Sequence, residues 1–197
     1  TRYLEVTGVQ TCALPICTLA TRATMPVDIV TGDRDLFQLV DDDRAIRVIY
    51  TARGMSNLDL VDDAFIVGKY GVHASQYADY ATLRGDSSDG LPGVAGVGEK
   101  TAATLLAAHG DIAGITAAAQ AGTGMTPAQR TKVLAASDYL AVAPRVVEVV
   151  RTLDLPDVDG ALLPRPDDLP SRTAAVAERW SLGSSMARAA EALTARA

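Results

Sequence analysis

The chain has 197 residues, of which 48% are hydrophobic and only 5% aromatic, and its formal net charge is −6. That length suffices for one domain with a proper core, packed mainly by Ala, Val and Leu. The acidity argues against a protein that coats nucleic acid through bulk positive charge, while leaving room for a local phosphate site or for carboxylates gathered around metal ions.

The segment Val6-Thr7-Gly8-Val9-Gln10-Thr11-Cys12-Ala13-Leu14-Pro15-Ile16 has neither clean helical nor clean strand periodicity. It resembles the in-frame translation of a sequencing-library adapter, and residues 1–24 are expected to be a non-native segment, with native sequence resuming between Cys17 and Val27; an ordinary N-terminal strand and turn is the alternative. Val27-Asp28-Ile29-Val30 is a β-branched run ending in Thr31-Gly32-Asp33, which predicts a buried strand and a turn. A short helix over Asp35–Val40 and a strand over Ala45–Tyr50 follow, so the order is that of an α/β unit with a parallel sheet.

From Asp59 the pattern turns helical. A helix over Asp62–Gly71 is closed by Gly71, and a second over Ala74–Leu83 carries Tyr77, Tyr80 and Ala81 on one face. Gly85–Gly98 is loop, rich in Gly, Asp, Ser and Pro. Helices are expected over Glu99–His109, over Asp111–Ala121, and from Thr126 as N-cap with Pro127 at the first helical position. Arg145–Val150 reads as a strand returning to the sheet, Leu153–Pro170 as connection, and Arg172–Trp180 and Ser184–Arg196 as helices.

Cys12 and Cys17 lack C-x-x-C spacing and any partner cluster of Cys or His, so neither a zinc site nor a disulfide framework is expected. No apolar run is long enough to span a membrane, and no basic-apolar-cleavage pattern marks a secretory signal. The expectation is a cytoplasmic monomer with no membrane partner.

Three motifs carry chemistry. In Thr31-Gly32-Asp33-Arg34-Asp35, Asp33 and Asp35 sit just beyond the C-terminal end of a strand, the edge where open α/β sheets bind ligands. Two carboxylates so spaced can converge on one hard cation; Asp33 as a plain helix cap is the competing reading. In Gly85-Asp86-Ser87-Ser88-Asp89-Gly90, a turn would put Asp86 and Asp89 on one side, and a solvated polar loop is the alternative. In Leu91-Pro92-Gly93-Val94-Ala95-Gly96-Val97-Gly98-Glu99-Lys100-Thr101-Ala102, a glycine-rich turn enters a helix whose first turn holds Lys100 and Thr101. Such a turn brings exposed N–H groups and a cation to a phosphate, which suits gripping a DNA backbone without reading its sequence. The pattern is not a Walker A loop, because Glu99 intervenes between Gly98 and Lys100, and it is not a dinucleotide fingerprint, because a helix precedes it. A glycine-rich helix connection and a small-molecule phosphate site remain open.

The order of the three is more specific than any one of them. T-G-D-R-D-L-F-Q-L-V, then K-Y-G-V, then Y-A-T-L-R-G-D-S-S-D-G-L-P-G-V-A-G-V-G-E-K-T-A resembles the bacterial 5′-3′ exonuclease and flap endonuclease family, which includes the 5′-nuclease domain of DNA polymerase I. The likeness runs from about Val27 to the C-terminus, and Gly90 is closer to the free-standing branch. It implies a PIN-like α/β nuclease core, present in part, with a helix-hairpin-helix variant (H3TH) at about residues 74–110. It further implies two-metal hydrolysis of DNA with 5′ ends or flaps, using Mg²⁺ or Mn²⁺. By that match Asp33, Asp35, Asp86 and Asp89 are metal ligands, Gly93, Gly96, Gly98, Lys100 and Thr101 lie in the duplex-binding hairpin, and K⁺ is a further ion for the hairpin. The family's upstream carboxylates and basic helices find no match, so the chain is expected to hold DNA while cleaving it weakly or not at all.

Overall fold

The computed structural model describes residues 10–87, 89–156 and 167–194. It divides into two compact units, Thr1–Asp157 and Val158–Ala197. The first opens with α1 (Gln10–Arg22), β1 (Val27–Thr31), a 3₁₀ helix at Arg34–Leu39 and β2 (Ile46–Tyr50). β1 and β2 pair in parallel, with Val27 opposite Ile46 and Thr31 opposite Tyr50. Ile29, Ile46 and Val48 are buried while Asp28 and Arg47 point out, the period-2 alternation of a half-buried sheet. On the outer face Val30, Ile49 and Leu60 stand in register across three strands, and Val30 and Leu60 are exposed.

Three expectations need correction. The segment assigned no period is helical from Gln10 onward, forming the first half of α1 despite Pro15; the helix is held farther along, where Cys17, Thr18 and Ala20 are buried. Val6–Val9 lie outside the described residues. The stretch from Asp59 begins not as helix but as β3 (Asp59–Val61), antiparallel to β2 and too short for its alternation to register. Arg145–Val150 is not a returning strand. Pro144 presets a helical φ, giving α8 (Pro144–Val147). The backbone beyond it is held by one side chain: Gln38 Nε2 donates to Val147 O at 3.2 Å, and the Val149 N–H donates to Gln38 Oε1 at 3.0 Å. Those bonds replace the ladder that a strand would have made.

The helices fall close to expectation. α2 (Asp63–Tyr70) is capped by Asp62 and ended by Gly71 at φ 73. A 3₁₀ turn at Ala74–Gln76 runs into α3 (Tyr77–Arg84), which buries Tyr77, Tyr80 and Ala81. α4 (Glu99–His109), α5 (Ile112–Ala121), α6 (Pro127–Ala135) and α7 (Ser137–Val142) follow, with Thr126 and Gln129 closing a capping box on α6. Phe37, Tyr50, Tyr70, Tyr77 and Tyr80 form one edge-to-face and tilted ring cluster, with neighbouring centroids 5.1–6.3 Å apart. In the second unit, α9 (Leu169–Trp180) and α10 (Gly183–Thr194) pack together; residues 157–166 of the expected connection lie outside the described residues. No single described helix is long and apolar enough to cross a membrane.

Candidate metal and nucleic-acid site

β1 ends at Thr31, whose hydroxyl oxygen accepts the Asp33 N–H at 3.1 Å. Asp33 Oδ1 in turn accepts the Asp35 N–H at 3.0 Å, so Asp33 does cap the 3₁₀ helix. The cap engages one of its oxygens, and the carboxylate stays at the exposed edge. Asp35 is half-buried. Burial, and after it the charges of Asp33, Asp89 and Asp86, push its carboxyl up to about 6, with Arg34 opposing.

The second carboxylate pair is built by a closed turn. α3 ends at Gly85, at φ 85. The Asp86 N–H donates to Leu91 O at 3.0 Å and the Leu91 N–H to Asp86 O at 2.8 Å, so residues 86–91 return on themselves. The Asp89 N–H to Asp86 O bond at 3.3 Å lies inside that loop. Asp89 is also pushed up, by burial first and then by Asp86 and Asp33. Each pair therefore feels the other, although more than fifty positions of chain separate them in sequence.

Two arginines, which sequence reasoning passed over, answer this charge. Asp86 Oδ2 lies 3.2 Å from Arg84 and 3.6 Å from Arg34. Arg84 also donates to Gly85 O at 3.1 Å and reaches Glu99 at 3.5 Å, with its guanidinium 5.6 Å over the Tyr80 ring. The cue for Arg34 is its place between the two aspartates of D-R-D. Among the described residues, no three His, Cys, Asp or Glu side chains converge tightly enough to define a closed metal cage. The arrangement is two carboxylate pairs whose charges act on one another.

The hairpin continues directly from this loop. Gly93, at φ 70, packs its Cα against α3; a Cβ there would meet Arg84 O at 2.5 Å. Val94 and Val97 are buried anchors, the Val94 N–H donating to Leu83 O at 2.9 Å. Gly96, at φ 73, and Gly98 are exposed, as is Lys100, whereas Gly93 and Thr101 are half-buried. Gly98 caps α4 without a side chain, so the first N–H groups of that helix face out. Lys132 of α6 donates to Gly96 O at 2.8 Å, a third residue that the motifs did not announce. An open cleft of about 750 Å³ joins the two regions, lined among others by Arg34, Arg84, Asp86, Gly98 and Glu99.

Residues 72–168 match the family described as 5′-3′ exonuclease, C-terminal SAM fold. The chain is 55% identical over 181 residues to a 5′-3′ exonuclease of Streptomyces coelicolor, covering 91% of this chain and 60% of that one. It is 49% identical over 187 residues to a 5′-3′ exonuclease of Mycobacterium tuberculosis, covering 89% of this chain and 58% of the other. It thus spans about three fifths of the length of the curated relatives it matches. In fold it is similar to a mutant of the T5 5′-exonuclease, with a TM-score of 0.59 at 17% identity over 72% of this chain and 55% of that one. A zinc-bound form of T5 5′-exonuclease gives 0.58 at 15%, over 72% and 49%.

Proposed function

We propose that this chain, which belongs with the 5′-3′ exonucleases through their C-terminal SAM-fold region at residues 72–168, supplies four carboxylates and a duplex grip to a metal-dependent 5′-3′ exonuclease or flap endonuclease acting on DNA. The observation that carries it is the meeting of the D-R-D turn with the 86–91 loop, where Arg34 lies 3.6 Å from Asp86 Oδ2 and the charges of Asp33, Asp89 and Asp86 add to burial in raising the Asp35 carboxyl. Four carboxylates against two arginines leave a net negative site, and carboxylate oxygens are the preferred donors of Mg²⁺ and Mn²⁺. Water completes a shell when protein ligands are few, so two carboxylate pairs rather than a closed cage fit two such ions.

Bound there, divalent ions would supply an activated water and neutralise charge on the leaving oxygen. The protein's own part is positioning. The closed turn 86–91 fixes Asp86 and Asp89, and the Asp33 cap holds the Asp35 backbone. The hairpin N–H groups and Lys100 hold duplex phosphates beside them, without sequence preference. A K⁺ ion at the hairpin would have to use carbonyls other than that of Gly96, which Lys132 occupies.

A second reading is a non-catalytic duplex-binding module, favoured by a hairpin that is complete while, among the described residues, no three carboxylates form a cage. Hydrolysis of a 5′-flap DNA with Mg²⁺ or Mn²⁺, by a protein in which the family's upstream carboxylates are restored to this chain, separates the two. Cleavage that Asp86→Ala abolishes is the expected result. Cleavage unchanged by Asp86→Ala refutes the nuclease site, and salt-sensitive duplex binding with no cleavage in either metal establishes the second reading.

A further inference from the structure

Resting on that reading of the carboxylate pocket, we propose that Arg34 is its exchangeable counter-charge, neutralising Asp86 when no divalent ion is bound and turning to the DNA phosphate when one is. The two arginines that share Asp86 Oδ2 are held very differently. Arg84 has a side chain only 17% exposed, and it is fixed by Gly85 O, by Glu99 and by the Tyr80 ring as well as by Asp86. Arg34 is 41% exposed, and among the described residues Asp86 is its one ion-pair partner, at 3.6 Å. That separation exceeds an N–H···O hydrogen bond, so the attachment is Coulombic and inexpensive to break.

Both contacts fall on the oxygen that a cation would seek. A divalent ion drawn to Asp86 meets a guanidinium in the way, and like charges so close repel by several kcal/mol even at an effective dielectric near ~20. Arg84 is anchored on three other groups, so the yielding partner is Arg34. Its sequence position limits where it can go: it lies between Asp33 and Asp35 at the start of a 3₁₀ helix, on the wall of the open cleft that faces Gly98 and Glu99. A guanidinium released there points into the space between the carboxylates and the hairpin, where a backbone phosphate would lie. Its planar fork matches two phosphate oxygens at once, which an ammonium cannot do.

The test compares the full chain with Arg34→Met and Arg34→Lys in two titrations, neither of which needs turnover. In the first, Mn²⁺ binding is measured by calorimetry without DNA. Arg34→Met is expected to bind Mn²⁺ about three- to tenfold more tightly, because a competing charge is gone, and Arg34→Lys to return to the wild-type value. In the second, a 5′-phosphorylated duplex is titrated with Ca²⁺ present over a salt series. Arg34→Met is expected to bind more weakly, with the slope of log affinity against log salt smaller by about one phosphate contact. Arg34→Lys should keep the slope but recover only part of the affinity. Equal Mn²⁺ affinity in wild type and Arg34→Met, or an unchanged salt slope, overturns the proposal. A wild-type chain that binds no Mn²⁺ at all would instead remove the metal site on which it rests.

Discussion

Gly93→Ala isolates the joint between the carboxylate loop and the hairpin. Two costs add. At φ 70 an alanine enters the left-handed region, which costs about 1–2 kcal/mol for an L-residue. The new Cβ would also sit 2.5 Å from Arg84 O and 2.6 Å from Gly85 N, both backbone atoms. Neither can swing aside as a side chain would. The segment must shift while buried Leu83 and Val94 hold each side of the crossing, and overpacking of this kind costs roughly 1–3 kcal/mol. The sum, about 2–5 kcal/mol, should lower Tm by roughly 4–20 °C in a chain of this size.

Gly96→Ala is the matched control. Its φ of 73 carries the same backbone cost, but the nearest atom is Lys132 Nζ at 2.9 Å, the end of a flexible chain. It should therefore lose only about 1–2 kcal/mol. Urea unfolding followed by far-UV circular dichroism gives both values on one scale. A Gly93→Ala variant no less stable than Gly96→Ala would show that the crossing is slack, and the claim that it sets Asp86 against the hairpin would fall.

Metal-free stability should depend on pH with a defined sign. The Asp35 carboxyl is raised in the fold from 3.8 to about 6, so its contribution is whole below the lower value and is lost as pH climbs through the upper. With EDTA present, Tm should fall across that window and recover on adding Mg²⁺, whereas Asp35→Asn should flatten both responses. Gln38→Leu strands the Val147 carbonyl and the Val149 N–H, which Gln38 now satisfies; a loss of about 2–4 kcal/mol in urea unfolding is expected, and a loss under about 1 would mean that other groups reach them. Lys100→Ala should weaken duplex binding across unrelated sequences and reduce the salt slope by about one, and a sequence-selective loss would contradict a backbone grip. Val30→Lys combined with Leu60→Lys removes the exposed apolar stripe on the sheet and should reduce light scattering at high concentration if that stripe drives association.

The helices were legible because their punctuation is local. Gly71 stops α2 in a left-handed conformation, and Thr126-Pro127 starts α6 with both the side-chain cap and the preset φ. The parallel β1–β2 pair was legible from β-branched runs flanking a short helix. What the sequence hid is non-local. The valine-rich run Arg145–Val150 reads as a strand from its composition, which cannot reveal that its backbone is taken up by a glutamine more than a hundred positions earlier. Gln38 reads as an ordinary polar residue until the fold buries it. β3 escaped for a different reason: three residues give too little alternation to outvote the helical pattern that follows.

The candidate site shows the same division. Motif order singles out four aspartates and a glycine-rich turn as candidates, but not what restrains them. Arg84 links Asp86, at the carboxylate loop, to Glu99, in the first turn of the helix that would hold DNA. The Gly85–Gly93 crossing makes the same link through the backbone. Both ties couple the hairpin to the backbone that carries Asp86. The distance between gripped backbone and metal-seeking carboxylates is then set by the one continuous stretch Arg84–Glu99, and not by how far the remainder of the sheet flexes. That compactness is why the glycine crossing, more than any aspartate, is the place where a conservative substitution should separate DNA binding from chemistry: Gly93→Ala leaves every proposed ligand and every charged phosphate contact in the sequence, and alters only the spacing between them.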